Sequence, residues 1–207
     1  VSCVVRLWRS EPRVEQAAYV GDEGVRGGLQ PAGPVYYVAI AEKIPLSLSL
    51  VARGTPGHAS LPRPNSAQDR LVNALYRLRR WQPPARLTQP VTQMLHALAA
   101  RQPFPDSFLF ANAGRPLLWP LLRSRLQNDL LFSPLISNTI NLTGLSGGQG
   151  DNVIPARAQA HLDARLLPDQ DPKTFLAAVR SVIGNSHISV QSELPPWRPR
   201  LTPANTP

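Results

Sequence analysis

The strictest pattern in the chain is an alternation of apolar and polar residues over positions 157–166. Alanine or leucine occupies each even position, and Arg, Gln, His, Asp and Arg occupy the odd ones. Because successive side chains of a β-strand point to opposite faces of its sheet, this run predicts a strand with one buried face and one solvated face. The chain must therefore form a sheet that is covered on one side.

Two predicted helices can pack against the buried face of that sheet. The first begins after Asn65 or Ser66, either of which can act as its N-cap, and ends before Pro83-Pro84. The second begins after Asp171, with proline at its first position, and ends at Gly184. The apolar stripes of the two helices are Ala67, Leu71, Ala74, Leu75 and Leu78, and Phe175, Leu176, Val179 and Ile183.

Further strands are predicted on both sides of the first helix and after the second. They cover residues 35–43, 46–52, 139–145 and 187–191, whereas the glycine-rich segment 19–34 reads as a loop. Residues 83–136 contain short helical patterns separated by prolines and read as an inserted helical segment. The order predicts an α+β fold: a two-layer β-α-β-β-α-β (ferredoxin-like) sandwich with an antiparallel sheet and a helical insertion.

Composition excludes several classes of protein. No apolar run approaches the roughly 18 residues of a membrane-spanning helix. The sequence has a single cysteine, Cys3, which cannot form an internal disulfide, so the chain is not a small secreted protein stabilised by disulfides. The net charge of +9 comes almost entirely from arginine, and its densest cluster is only Arg77, Arg79 and Arg80. We therefore expect neither a membrane nor a nucleic-acid partner. No signal peptide is recognised, and the compartment stays open.

Four blocks carry a family resemblance. They are GDEG (21–24), AEK with RGTPGHASLP (41–62), TGLSGGQGDNVIPARAQAHLDARLLP (143–168) and the helix that follows. In this order and at these spacings, the chain resembles the zinc metallopeptidases that include aminoacylase, glutamate carboxypeptidase, acetylornithine deacetylase and succinyl-diaminopimelate desuccinylase. It is most similar to the carboxypeptidase and N-acyl amino acid hydrolase branch. The resemblance covers about residues 19–203.

The resemblance implies a division of the chain. Residues 1–43 would be a remnant of a catalytic domain with the entry strand. Residues 44–193 would be the lid, or dimerisation, domain with its insertion at 83–136, and residues 194–207 would be a linker back to the catalytic domain. We expect a homodimer formed through the lid.

The resemblance also assigns roles to a few residues. His58 matches the lid histidine that stabilises the oxyanion of the scissile carbonyl, often in the partner's active site. Asn152 and Arg165 match lid residues that hold the carboxylate or carbonyl of a peptide or N-acyl amino acid substrate. Asp22 or Glu23 matches a zinc ligand, and one sequence does not decide between them.

Most of the expected metal site is missing from this sequence. The other histidines and carboxylates with which the family holds its two zinc ions have no counterpart here, and its glutamate general base is also missing. The pair His161-x-Asp163 has the spacing of a metal motif, but it lies inside the strand at 157–166. We therefore expect this chain alone to bind no zinc and to be hydrolytically inactive.

Two other classes of function are alternatives. One is a non-catalytic homodimerising interaction module that has kept only the lid. The other, less favoured, is a basic nucleic-acid-binding domain. That class would place aromatic side chains on the open sheet face, and the polar side of 157–165 carries none.

Overall fold

The computed structural model describes residues 5–8, 26–30, 33–39, 41–61, 63–148 and 150–193. Within them, the strands are β1 (Val5–Trp8), β2 (Arg26–Gln30), β3 (Gly33–Ala39), β4 (Ile44–Arg53), β5 (Gly57–His58), β6 (Thr139–Ser146), β7 (Val153–Ile154), β8 (Arg157–Leu166) and β9 (Ile188–Glu193). The α-helices are α1 (Ala67–Arg80), α2 (Gln89–Ala99), α3 (Asp106–Ala111), α4 (Trp119–Gln127), α5 (Ser133–Ile136) and α6 (Pro172–Ile183). A 3-10 turn, Pro116–Leu118, leads into α4.

The main sheet contains four strands in the order β6-β8-β4-β9, with every neighbouring pair antiparallel. Burial along β8 alternates as its sequence predicts, with every alanine and leucine buried. Leu162 of β8 lies opposite Leu48 of β4 and Leu142 of β6. The antiparallel sheet with packed helices confirms the α+β class.

Helices α1 and α6 bury their apolar stripes in the hydrophobic core of this sheet. Of the two caps considered for α1, Ser66 is the one used. Its side chain accepts the N–H of Asp69, and the Asp69 carboxylate in turn accepts the N–H of Ser66. Asp171 caps α6, and Gly184 ends it in the left-handed conformation with φ of 57°.

The helices between residues 89 and 136 enclose a second hydrophobic core. Its buried members are Val91, Met94, Leu95, Leu98, Ala99, Leu109, Phe110, Ala113, Leu122, Leu126 and Ile136. The chain enters and leaves this unit at neighbouring points, because the N–H of Arg86 donates to the carbonyl of Ile136 at 2.7 Å. None of the helices in the described residues is long and apolar enough to cross a bilayer.

The segment before β4 differs from the sequence prediction. Strands β1, β3 and β2 form a separate three-stranded sheet, and β2 lies within the stretch predicted to be a loop. Its glycines disfavour a strand locally, but pairing with β3 supplies the hydrogen bonds that local propensity does not anticipate. The strand predicted over 35–43 ends at Ala39, and a new strand begins at Ile44.

Candidate functional site

The loop after β4 folds against the segment before β8 and forms the two-stranded ribbon β5–β7. His58 lies opposite Val153, and the N–H of Ala59 donates to the carbonyl of Asn152 at 2.9 Å. The structure thus brings together the backbones of two residues, His58 and Asn152, that the resemblance assigns to substrate contact. Both residues are exposed.

The ring of His58 is held through one nitrogen. Its Nδ1 lies 2.8 Å from the hydroxyl of Ser60 and accepts the backbone N–H of Ser60 at 3.2 Å. The carbonyl of His58 accepts the N–H of Leu61 at 3.0 Å, so residues 58–61 form a hydrogen-bonded turn. The described part of the chain provides no partner for Nε2. Sequence reasoning missed the contact of Ser60 with this ring, although its position two residues after the histidine was visible.

The ribbon is fixed to the core at Gly54. The N–H of Gly54 donates to the carbonyl of Ala156 at 2.9 Å, which ties the end of β4 to the start of β8. A Cβ at this position would lie 2.6 Å from the backbone nitrogen of Ala67, the first residue of α1. Only glycine allows such a close approach between strand and helix.

Arg165 lies far from the β5–β7 ribbon. It is near the other end of β8, opposite Pro45 and Thr139, and its Nε donates to Asp163 at 2.9 Å. Arg165 is eight residue steps along β8 from Arg157, which corresponds to about 26 Å. Within one chain, the structure therefore does not bring Arg165 to His58 and Asn152.

The predicted zinc-ligand candidates give no metal site in the described residues. Asp22 and Glu23 lie outside those residues. Nε2 of His161 lies 3.0 Å from the side-chain nitrogen of Gln159, and Asp163 is paired with Arg165. The described part of the chain contains no group of three or more histidine, cysteine, aspartate or glutamate residues that could hold a metal ion.

An exposed apolar surface lies along the β6 edge of the main sheet. Leu142 and Leu145 of β6 are 51% and 62% exposed, and Val72 and Tyr76 of α1 are 60% and 59% exposed. Gln68 of α1 donates to the carbonyl of Gly147 at 2.6 Å, which fixes this side of the helix beside β6. We call these four apolar residues the edge surface. Sequence reasoning missed it, although Val72 and Tyr76 are apolar residues outside the buried stripe of α1.

An ion pair fastens the helical unit to the main sheet. Arg86, at the entry to the unit, pairs with Asp169, which follows β8. The hydrogen bond from Arg86 holds the pKa of the Asp169 carboxyl below its usual value. At the exit, the carbonyl of Ser137 accepts a hydrogen bond from the buried Lys43 at 2.8 Å.

Comparison with known families identifies the domain. A model of the peptidase dimerisation domain of the M20 peptidases matches residues 40–189. The chain belongs to this family. The resemblance predicted from the four sequence blocks is thereby confirmed.

Curated relatives of this M20 dimerisation domain include hydrolases of related types. It is 28% identical to the N-fatty-acyl-amino acid synthase/hydrolase PM20D1 of Bos taurus, covering 86% of this chain and 36% of the relative. It is also 28% identical to the probable carboxypeptidase S-like 2 of Dictyostelium discoideum, covering 83% and 34%. Aminoacylase-1B of Rattus norvegicus is 26% identical, covering 95% and 39%. The chain spans just over a third of the length of these relatives.

Solved structures of peptidases also align with the domain. The M20 metallo-carboxypeptidase Sso-CP2 from Sulfolobus solfataricus aligns with a TM-score of 0.45 at 19% identity, covering 81% of this chain and 46% of that one. The dipeptidase Dug1p from Saccharomyces cerevisiae aligns with a TM-score of 0.46 at 17% identity, covering 75% and 36%. The family assignment rests on the family model alone.

Proposed function

We propose that this domain is the lid and dimerisation part of a zinc-dependent carboxypeptidase or N-acyl amino acid amidohydrolase. Such an enzyme hydrolyses an amide bond next to a free carboxylate. The names of the relatives include both carboxypeptidase and N-acyl amino acid hydrolase activities. The observation that carries the proposal is the edge surface, because a second copy of the domain can cover it.

The edge surface combines two features of an interface. As one of the two outermost strands, β6 has one backbone edge without a partner strand in the described sheet. Four exposed apolar side chains lie beside that edge, and covering them would contribute roughly 1 kcal/mol each. Antiparallel pairing of β6 with its copy about a two-fold axis would extend the sheet to eight strands and bring the two α1 helices together.

A dimer would also explain the positions of the candidate substrate-binding residues. His58 and Asn152 lie at one end of the sheet and Arg165 at the other, too far apart to contact one small substrate. We propose that each active site takes His58 and Asn152 from one copy and Arg165 from the other. The distance between the two ends of β8 supports this sharing.

Each residue has a distinct role in this proposal. Nε2 of His58 donates a hydrogen bond to the oxyanion that develops on the scissile carbonyl. Arg165 uses only Nε for Asp163, so its terminal nitrogens can donate to the substrate carboxylate in the bidentate manner of guanidinium groups. The side-chain amide of Asn152 donates to the substrate carbonyl or carboxylate.

The zinc chemistry requires residues other than those described. The described residues do not fit a zinc site, and one ligand is proposed to come from Asp22 or Glu23. Bound zinc supplies an activated water in such hydrolases. The contribution of this domain is to bind and orient the substrate, and the chain alone is expected to be inactive.

We also propose the domain boundaries and the detailed topology. The order β6-β8-β4-β9, with α1 following β4 and α6 following β8, supports a ferredoxin-like sandwich over residues 44–193. The separate core of the helices supports an insertion at 83–136. Residues 1–43 and 194–207 are assigned to the catalytic domain and its linker.

Analytical ultracentrifugation of the chain tests the dimer. We expect the wild-type chain to sediment as a dimer at micromolar concentration. Leu145→Lys should sediment as a monomer, because it places a charge within the edge surface.

The matched control is Leu130→Lys in the helical unit, because Leu130 is 92% exposed and is not part of the edge surface. It should leave the dimer intact. A wild-type monomer, or equal effects of the two substitutions, would contradict an interface at the edge surface.

A further inference from the structure

The two ring nitrogens of His58 have different surroundings. Both groups that contact Nδ1 belong to Ser60, its backbone N–H at 3.2 Å and its hydroxyl at 2.8 Å. The turn closed by the hydrogen bond between Leu61 and the carbonyl of His58 holds Ser60 in this position. Nε2 has no partner in the described residues and belongs to an exposed side chain.

The backbone N–H of Ser60 identifies the nitrogen that carries the proton, and the hydroxyl of Ser60 makes the shorter of the two contacts with Nδ1. A backbone N–H can only donate, and an imidazole nitrogen can accept only when it carries no hydrogen. Nδ1 is therefore unprotonated, and the single N–H of the neutral ring is on Nε2. The Ser60 hydroxyl, at the shorter distance, then donates its own hydrogen to the same nitrogen.

We infer that Ser60 is a positioning residue that fixes His58 as the Nε2–H tautomer. This inference rests on the proposed function, because it concerns the same histidine. The neutral ring then presents a hydrogen-bond donor, and its lone pair at Nδ1 is occupied by Ser60. Such a histidine suits the stabilisation of a developing oxyanion and does not suit proton abstraction through Nε2.

Nitrogen NMR of the 15N-labelled chain tests the inference directly. At about pH 8, where an ordinary histidine is neutral, the ring-nitrogen shifts distinguish a protonated nitrogen from an unprotonated one. We expect His58 to show protonated Nε2 and unprotonated Nδ1, with a correlation across the hydrogen bond between Nδ1 and the amide of Ser60. His187 is exposed and its ring has no partner in the described residues, so it serves as the internal reference for an averaged pair of tautomers.

Two variants separate the hydroxyl from the backbone. Ser60→Ala keeps the backbone N–H but removes the hydroxyl, which makes the shorter contact with Nδ1, so the Nδ1 shift of His58 should move part of the way towards that of His187. Ser60→Thr keeps a hydroxyl and should restore the wild-type shift. Averaged shifts for wild-type His58, a proton on Nδ1, or an Nδ1 shift that is unchanged in Ser60→Ala would overturn the inference.

Activity distinguishes failure of the inference from failure of the proposed function. In an enzyme that carries this domain, Ser60→Ala should lower kcat by roughly 2- to 10-fold, the equivalent of one neutral hydrogen bond, and Ser60→Thr should restore it. If His58→Ala leaves kcat unchanged while NMR shows the fixed tautomer, the proposed catalytic role is wrong. If His58→Ala lowers kcat but the tautomers are averaged, only the role of Ser60 is wrong.

Discussion

At the residue scale, Gly54 and Ser60 determine where His58 lies and what it presents. Neither residue was singled out from the sequence, whereas His58 itself was predicted from its motif. Motifs identify the residue type that the chemistry needs. The partners of that residue depend on the turn that the backbone adopts, here at residues 58–61, and on the close approach of β4 to α1, which only coordinates reveal.

The close approach at Gly54 gives a stability prediction. Gly54→Ala should lower the free energy of unfolding by about 1–3 kcal/mol, because the new Cβ would overlap the backbone of Ala67 and displace the start of α1. Urea denaturation, monitored by circular dichroism, measures this change in the free energy of unfolding.

Gly148→Ala is the matched control, because a Cβ there has no atom within 4 Å. It should change stability by less than about 0.5 kcal/mol. Equal free energies of unfolding for the two variants would contradict the prediction, because they would show that α1 moves away from the new Cβ at position 54 at no energetic cost.

At the scale of elements, the sequence predicted what depends on local pattern. The alternation of β8 and the cap, stripe and proline stop of α1 define those elements without tertiary information. Strand β2 was missed because its glycine-rich sequence becomes a strand only by pairing with β3. The edge surface was missed for a similar reason, since α1 and β6 meet only in the folded domain.

The ion pair between the helical unit and the sheet predicts a pH-dependent stability. Because Arg86 lowers the pKa of folded Asp169, the pair stabilises the fold above the unfolded pKa, about 3.9 for aspartate. This stabilisation is lost as the pH falls through the lower folded value. Since the Asp169 side chain is half exposed, Asp169→Asn should cost only about 0.5 kcal/mol at pH 7.

Urea denaturation at pH 7, 5 and 3 measures this difference. The difference in the free energy of unfolding between wild type and Asp169→Asn should be present at pH 7 and 5 and should become smaller at pH 3. The control Asp151→Asn alters an exposed carboxylate and should show no such gap at pH 7. A gap of equal size at pH 7 and pH 3 would refute the assignment to the ion pair.

At the scale of the whole molecule, the proposed dimer makes the two active sites interdependent. In a site shared between copies, a His58→Ala copy and an Arg165→Ala copy are each inactive as homodimers. Their heterodimer retains one site with both residues intact. If the domain were only a non-catalytic dimerisation module, the activity of an enzyme that carries it would not depend on His58 or on Arg165.

Subunit complementation tests this arrangement. The domain would replace the corresponding domain of aminoacylase-1B of Rattus norvegicus, and the unsubstituted chimera provides the reference activity. Each variant alone should lose roughly 100- to 1,000-fold in kcat/KM, because His58→Ala removes an oxyanion donor and Arg165→Ala removes the partner of the substrate carboxylate. Random re-pairing of the two variants should restore about a quarter of the reference activity, because half the dimers are mixed and each has one intact site.

The control mixes His58→Ala with Asn152→Ala, which lie in the same ribbon. That mixture should restore no activity, because no active site in its mixed dimers then has both His58 and Asn152 intact. Recovery in the control, or none with Arg165→Ala, would contradict the division of residues between copies.

The hydrogen bond between Arg86 and Ile136 has a consequence for how such domains can evolve. The chain leaves the sheet and returns to it at adjacent points, and the helices between them bury their own apolar residues. A gene rearrangement that removed this unit would need only a short turn to rejoin the remaining chain. The helical unit can therefore be gained, lost or exchanged without changing the main sheet, which carries Arg165, or the β5–β7 ribbon, where His58 and Asn152 lie.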